Sequence, residues 1–500
     1  MVLLLALALL AGDPHVIEVV DDASGRGVPL VELRTVNKTR FVTDSAGIVA
    51  FDEPGMMDRK VFFTVSSHGY EWEKDGFGFR GAAIETKTGG KSTIRIKRLN
   101  IAERLYRVTG QGIYGESVKA GLKAPIREPA LNGGVLGQDT VQTIAWKGKL
   151  WWFWGDTLRA GYPLGNFAAS GATSELPGKG GLDPSVGVDL KYWVDAEGFS
   201  RGMVRGLDAP PGPIWIFALM ILKDESGTER LVADYVVVKT LGVTLQRGLC
   251  VWDEAKEQFG PLSTYPIDEP LHPGGQPIRI RDEDGERFYF PSPDAIVRVK
   301  ADWKAVQDPK QYEAFTCLQP GTRYRKGQAK LDRDAGGTLT WAWKKETGPV
   351  TEKDQEELIK AGAMKPAEAW YRLKDREGDR VLLHGGTVCW NESRKRWILI
   401  ALQAMGRTSL LGEVWYAEAE RPWGPFERGV KVVTHDKYTF YNVVQHPEFD
   451  QDGGRRIYFE GTYTAEFSGN KDPTPRYDYN QIMYRLDLAD ERLKPAQPGR

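Results

Sequence analysis

The stretch GQDTVQTIAWKGKLWWFWGDT, Gly137 to Thr157, decides how this chain is read. Its residues spell a hairpin, with Thr140–Trp146 as one strand, Lys147-Gly148-Lys149 as the turn and Leu150–Trp154 as the return. The return strand is apolar on both faces, the mark of a strand buried from two sides. Asp139 and Asp156 stand at the open end, away from the turn. If Trp146 pairs with Leu150, Asp139 falls opposite Thr157, beside Asp156; a one-residue change of loop sets the two aspartates directly opposite. Directly paired side chains lie roughly 5 Å apart. Two carboxylates that close repel, so one keeps its proton more readily, which separates an acid from a base. A spacing of about 5–5.5 Å suits double displacement at a glycosidic bond, with retention of configuration. The competing reading is that each aspartate only accepts backbone N–H groups in a strand-end turn.

Outward from this hairpin the chain is rich in strands with Gly/Pro/Asp turns. Five groups can be picked out: Gln138 to about Trp193, Pro213–Phe259, Gln276–Cys317, Thr338–Ala417 and Lys431–Leu488. At about 70 residues each they exceed the roughly 40–50 of common propeller repeats, and they share no motif. Strand sets at regular spacing, some apolar on both faces, fit radially packed sheets better than one sandwich. The fold class expected is therefore all-β, with a five-bladed β-propeller over residues 136–500 and one charged helix near Glu352–Ala361.

Residues 13–98 read as a separate small β-sandwich. Its strands are His15–Val20, Val28–Thr35, Arg40–Thr43, Gly47–Phe51, Val61–Ser66 and Ser92–Lys97, and residues 99–135 form a linker leading into the propeller. Residues 1–12 (MVLLLALALLAG) are too short to span a bilayer and match the apolar core of a secretory signal. A secreted, periplasmic or cell-surface protein with no integral membrane segment after signal removal is expected. The 67 basic and 68 acidic side chains leave a formal charge of −1, without the basic excess that nucleic-acid binding uses. The 16 Trp, 19 Tyr and 19 Phe suit both β structure and sugar stacking. Cys250, Cys317 and Cys389 give no disulfide framework or zinc site.

Two resemblances follow. Val19-Val20-Asp21 through Val28-Pro29, then Thr43 to Phe51, resemble the carboxypeptidase-regulatory or transthyretin-like sandwich, which implies a structural or anchoring module. The G-x-D at Gly137–Asp139 and the F-x-G-D-T at Phe153–Thr157 resemble the five-bladed-propeller furanosidases, especially arabinan-degrading hydrolases. Gly412–Ala417 followed by Pro422–Phe426 is similar to a strand-and-turn of the same propellers. That resemblance implies that Asp139 and Asp156 are the catalytic pair, one as nucleophile and the other as general acid/base.

The last group adds Glu460, which follows an apolar strand as Asp156 does and is expected as a third acid/base or pKa-tuning carboxylate. The alternative is that Glu460 pairs with Arg476 and closes the last blade. Trp151, Trp154, Tyr438, Tyr441, Asn442, His446, Arg476 and Asn480 are candidate sugar contacts, as are His272 and His384 beside their glycine pairs. No cofactor or catalytic metal is expected; a calcium ion on the axis would be structural, and no calcium-loop spacing is present. Gly110–Gly115 spells G-x-G-x-x-G, but no βαβ unit follows it. The function expected is a retaining glycoside hydrolase acting on a polysaccharide or oligosaccharide, with furanoside-containing glycans in view. Its competitors are a non-catalytic glycan- or partner-binding propeller, and a polysaccharide lyase using His446, Tyr441 and Arg476.

Overall fold

The computed structural model describes residues 13–282, 284–291, 296–326 and 328–497; the signal-like residues 1–12 lie outside them. The described chain is all-β apart from short helices. Its longer helix, Glu352–Lys360, is where a charged helix was expected. It starts on a capping box in which Thr351 Oγ1 accepts the Asp354 N–H (3.1 Å) and Asp354 Oδ2 accepts the Thr351 N–H (2.9 Å).

The first strands form two four-stranded sheets. One runs Ile48–Phe51, His15–Asp21, Lys91–Arg98 and Tyr70–Glu71; the other runs Arg40–Val42, Glu32–Thr35, Arg59–Ser66 and Gly81–Thr86. Alternation along each strand buries Ile17, Val19, Leu33, Phe51, Phe63 and Ile94 in one shared core. Tyr70–Glu71 and Gly81–Thr86 were not foreseen. Gly81-Ala82-Ala83 carries little apolar signal of its own and becomes strand by pairing with Arg59–Ser66.

Besides a two-stranded sheet of Val135–Gln138 and Thr157–Arg159, five larger sheets follow in chain order. The first comprises Gln142–Trp146, Lys149–Trp154, Ser170–Glu175 and Lys191–Tyr192, and the second Ile214–Lys223, Glu229–Thr240, Val243–Asp253 and Gln258–Tyr265. The third comprises Ile278–Asp282, Gly285–Pro291, Ile296–Lys300, Glu313–Thr316 and Ala342–Lys345. The fourth comprises Leu383–Asn391, Arg396–Gln403, Val414–Ala419 and Gly429–Val433. Thr439–Gln445, Arg456–Thr464 and Asn480–Asp487 form the fifth, together with Glu103–Arg107 from far upstream.

Three boundaries differ from the sequence grouping. Ala342–Lys345 completes the third sheet rather than opening the fourth group, and Gly429–Val433 belongs to the fourth rather than the fifth. Glu103–Arg107, within the expected linker, is the outer strand of the fifth sheet. Outer strands are assigned by pairing across long loops, which periodicity does not register.

Each sheet shares an apolar cluster with the next. Phe153, Ile216 and Trp252 join the first to the second, and Met220, Leu249, Phe288 and Phe290 join the second to the third. Ile278 packs with Val388, Leu399 and Trp415 between the third and fourth. Ile400, Tyr416, Phe440 and Tyr484 join the fourth to the fifth. Trp152, Trp154, Val444 and Met483 then join the fifth back to the first, so the order closes on itself. Among the described residues no helix is long and apolar enough to cross a membrane.

Trp152 and Leu241 give a contrast that tests this closure. Trp152 is fully buried where the fifth sheet meets the first, whereas Leu241 is 69% exposed. Trp152→Ala should lower stability by about 3–5 kcal/mol in denaturant unfolding, and Leu241→Ala should stay within about 0.5 kcal/mol. Equal effects would sink the closing role of Trp152.

Candidate active site

The site begins with the turn of the Gly137–Thr157 hairpin. Trp146 pairs with Lys149, not Leu150, because Lys147 (φ 49°) and Gly148 (φ 78°) make a two-residue turn with both central residues left-handed. That is the one-residue change of loop, and between the pairs Gln142–Phe153 and Gln138–Thr157 it sets Asp139 against Gly155 and Asp156, where the regular ladder is interrupted. The Gly155 N–H donates to the Asp139 carbonyl (2.9 Å), and the Asp139 N–H reaches the Asp156 carbonyl at 3.3 Å. Gln138 pairs with Thr157 one step further out.

Each carboxylate then finds its own partners. Asp139 Oδ1 accepts the Asp156 backbone N–H (2.8 Å), and its Oδ2 accepts the Tyr441 hydroxyl (2.8 Å). The Tyr479 hydroxyl faces Asp139 as well. Asp156 Oδ1 accepts the Trp215 indole N–H at 3.0 Å. The strand-end bonding of the competing sequence reading is therefore present at Asp139, alongside the paired carboxylates.

The neighbouring strand supplies Tyr441. Thr439–Gln445 runs beside Gln142–Trp146 in the same direction: Tyr441 meets Asp139, Asn442 Nδ2 donates to Thr140 Oγ1 (2.6 Å), and the His446 ring meets Thr143 Oγ1 (3.2 Å). A register shift between Tyr441 and Val444 turns the tyrosine inward. Thr140 (φ 51°), Asn442 (φ 54°) and Tyr479 (φ 62°) are all left-handed without being glycine, so backbone strain is concentrated around Asp139. Gly155 is required by close approach: a Cβ there would stand 2.4 Å from Asp139 Oδ1.

Both aspartates are half-buried. Burial, and then the Asp156 charge, push the Asp139 carboxyl up to about 7, against hydrogen bonds from Tyr441, Tyr479 and the Asp156 N–H. Burial raises Asp156 too, with the Trp215 N–H opposing it. Below about pH 7 the pair thus holds a proton on Asp139, while Asp156 keeps a donor that favours its ionised form. Burial and the adjoining carboxylates hold Tyr441 and Tyr479 far above the ordinary tyrosine range, so both remain neutral donors. Glu466 lies near the pair at the protein surface, and partial desolvation of its carboxyl and the Asp478 and Asp156 charges raise it. Beside it, Phe467 is 46% exposed and meets Tyr441 edge-on at 5.9 Å.

Several expected contacts lie elsewhere. Trp154 is fully buried and stacks on Trp152 (6.1 Å), because alternation turns both toward the fifth sheet; it is core, not a sugar platform. Trp151 packs with Trp146, Trp193 and Trp252 on the opposite face. Glu460 is fully buried and bonds His446 (2.8 Å), also fully buried, so this couple braces the fifth sheet against the first and is withdrawn from the mouth. Arg476 pairs with Glu116 (2.9 Å), not with Glu460. Tyr438 is buried with its hydroxyl on Asp478, and Asn480 bonds Arg107 (2.9 Å). His272 is half-buried against the Pro273 carbonyl and pushed down to about 4 by burial and the Arg247 charge, while His384 is exposed at the start of its strand. Of the expected sugar contacts, Tyr441 and Asn442 are the two whose bonds reach the Asp139–Thr140 segment. Trp215, Glu466 and Phe467 were missed. A tryptophan one residue into the strand Ile214–Lys223 was the available signal for Trp215. Among the described residues no group of three or more His, Cys, Asp or Glu is arranged to hold a metal ion.

No family model matches the chain, and no curated protein does. Among solved structures it is similar to a putative hydrolase from Bacteroides ovatus ATCC 8483, with 15% identity over 70% of this chain and 86% of that one and a TM-score of 0.44. It is similar to a GH43_1 enzyme from Xanthomonas citri (14% identity, 70% and 87% of the chains, TM-score 0.32). A third is an exo-1,5-α-L-arabinanase from a bovine ruminal metagenomic library (10% identity, 70% and 93%, TM-score 0.33). All three scores lie below 0.5, and no property of these proteins transfers to this chain on that likeness.

A carboxyl raised to about 7 makes the folded protein hold a proton that the unfolded chain releases near pH 4, so its contribution to stability is lost as pH rises through 7. Asp139→Asn, neutral throughout, should therefore raise Tm above wild type at pH 8, with the gain shrinking toward pH 4. A gain independent of pH would contradict the raised carboxyl. Gly155→Ala should displace the Asp139 carboxylate while leaving far-ultraviolet circular dichroism unchanged, and should abolish whatever activity the pair supports.

Proposed function

We propose that this chain is a retaining glycoside hydrolase acting on a polysaccharide or oligosaccharide, with Asp139 as general acid/base and Asp156 as nucleophile. The observation that carries this reading is the cross-strand aspartate pair at the hairpin mouth, with the proton on Asp139 and a donor on Asp156. Carboxylates that face each other across one strand pair are expected about 5 Å apart, the spacing of double displacement. In the first step an Asp156 oxygen bonds the anomeric carbon as the bond to the leaving sugar breaks, and the Asp139 proton passes to the leaving oxygen. In the second, Asp139 takes a proton from water, whose oxygen bonds the anomeric carbon and releases Asp156. Trp215 and Phe467 would offer faces to the sugar, and Tyr441 and Tyr479 would hold Asp139 in line. In this reading the five sheets are a five-bladed propeller over residues 136–500 closed by Glu103–Arg107, residues 13–98 are a β-sandwich module, and the protein is exported.

The lyase alternative loses its residues. His446 is buried on Glu460, Arg476 is paired with Glu116, and Tyr441 is held far above the range in which it would act as a base. A propeller that only binds glycan is the outcome left to experiment.

Reducing-sugar release from a panel of plant and bacterial polysaccharides is the test, with Asp139→Asn and Asp156→Asn beside wild type. Each variant should lose about 10²–10⁴-fold in kcat/KM, and added azide should give a glycosyl azide of inverted configuration with Asp156→Asn and of retained configuration with Asp139→Asn. Wild-type activity should fall as pH rises through about 7, where Asp139 loses its proton. Tyr441→Phe, which removes a bond to the ionised form, should move that limb upward. Glycan binding without turnover, unaffected by either aspartate change, would overturn the hydrolase reading.

A further inference from the structure

We propose that the N-terminal pair of sheets, residues 13–98, is a positioning element of the site, holding the connection 465–479 so that Tyr479 stays against Asp139. This role rests on Asp139 carrying the reacting proton, and the test below separates the two.

The connection AEFSGNKDPTPRYDY joins Arg456–Thr464 to Asn480–Asp487. It has no strand or helix of its own, and long connections of that kind keep one conformation only when something outside them ties them down. Phe467, Arg476 and Tyr479 are all left-handed, so the segment also carries backbone strain. At one end it places Glu466 and Phe467 at the mouth; at the other, the Tyr479 carbonyl accepts the Gln138 N–H (3.0 Å). A Cβ on Gly137 would stand 2.3 Å from that carbonyl, so the approach is as close as a glycine allows.

Three of its ties lead to residues 13–98. Arg40, fixed by Glu32 (2.6 Å), bonds Asp472 Oδ1 (2.6 Å). His68 packs its ring on Tyr438 (5.1 Å), whose hydroxyl bonds Asp478 and accepts the Thr474 N–H (2.8 Å). Glu116 accepts the Ala50 N–H (3.2 Å) on one oxygen and Arg476 (2.9 Å) on the other, while Asp44 fixes the start of the same short helix through the Ser117 N–H (2.6 Å). A fourth tie works through Arg107, whose N–H donates to Ser45 Oγ (3.1 Å) and whose guanidinium lies 3.9 Å over the Tyr477 ring. Leu30 and Val42 sit in one apolar cluster with Tyr438, Tyr441 and Tyr477. The fifth sheet also holds the segment directly, with Tyr463 on Thr474 (2.8 Å) and the Thr464 hydroxyl on Asp478 (3.2 Å), and residues 13–98 add a second set of ties from outside the five sheets. Rigid loops place reacting groups within the tolerance that catalysis demands, and a slack loop would let the Tyr479 hydroxyl leave Asp139.

Deleting residues 13–98 would strip a shared core, so the test uses point variants of the full chain. Arg40→Ala with Arg476→Ala cuts two ties at the surface, and His68→Ala cuts the third. Hydrogen–deuterium exchange should become about tenfold faster within 465–479 and remain unchanged in the five sheets. The carbon-13 titration of the Asp139 carboxyl, assigned with Asp139→Asn, should move up by about half a unit. The groups facing Asp139 are Asp156, Tyr441 and Tyr479, and only the Tyr479 bond, which favours the ionised form, would be lost. Unchanged exchange, or faster exchange with an unmoved titration, overturns the positioning role. Neither readout needs turnover, so a wild type that releases no sugar would sink the hydrolase reading and leave this one to be decided.

Discussion

The contact between the fifth sheet and the first governs this molecule. Glu103–Arg107, upstream of every other strand of the five sheets, pairs with Asn480–Asp487, the last of them, so sheet five is assembled from the two ends of that region. Closing so long a loop has an entropic cost, and it is offset by a wall of buried aromatics: Trp152, Trp154, Tyr106, Tyr458 and Phe449. The same seam brings Tyr441 and Tyr479 to Asp139. If it loosened, the ring would open and the site would lose its donors together.

The buried Glu460–His446 couple belongs to this seam. A carboxylate and an imidazole removed from water are costly unless they satisfy each other. Here Glu460 bonds the ring, and the ring's other nitrogen meets Thr143, in the strand that follows Asp139. A feature that looks like acid/base chemistry in sequence is thus a brace beneath the chemistry. Depth decides between the two: Thr462, two residues further along the same strand, is the one that accepts the Thr140 N–H.

The electrostatics of the pair follow from an asymmetry of donors more than from distance. Both carboxyls are half-buried and Asp139 feels the Asp156 charge, yet Asp156 has an indole N–H from the second sheet while Asp139 sits among neutral tyrosines. Three sheets are needed to split the two acids: the first supplies the carboxylates, the second Trp215, the fifth the tyrosines. Strain at Thr140, Asn442 and Tyr479 is tolerated because each is bonded across a sheet boundary.

By itself the sequence determined the all-β class, most of the strands and the pair. Alternation, the double-faced run Leu150–Trp154 and the Lys147-Gly148 turn make the hairpin local, so the two aspartates could be placed at its mouth and their register narrowed to two choices. The N-terminal strands and the capped helix at Glu352 were legible for the same reason, since their signals lie within a few residues. Only the tertiary structure decided which polar residues reach the pair. Strand period tells which side chains share a face, but not which face meets which sheet, nor how deep along a strand the mouth lies. Hence Trp154, Glu460, His446 and Arg476 read as site residues and proved to be core or braces, while Trp215, Glu466 and Phe467 went unread. Their approach to the aspartates depends on sheets packing around a closed order, set by contacts hundreds of residues apart.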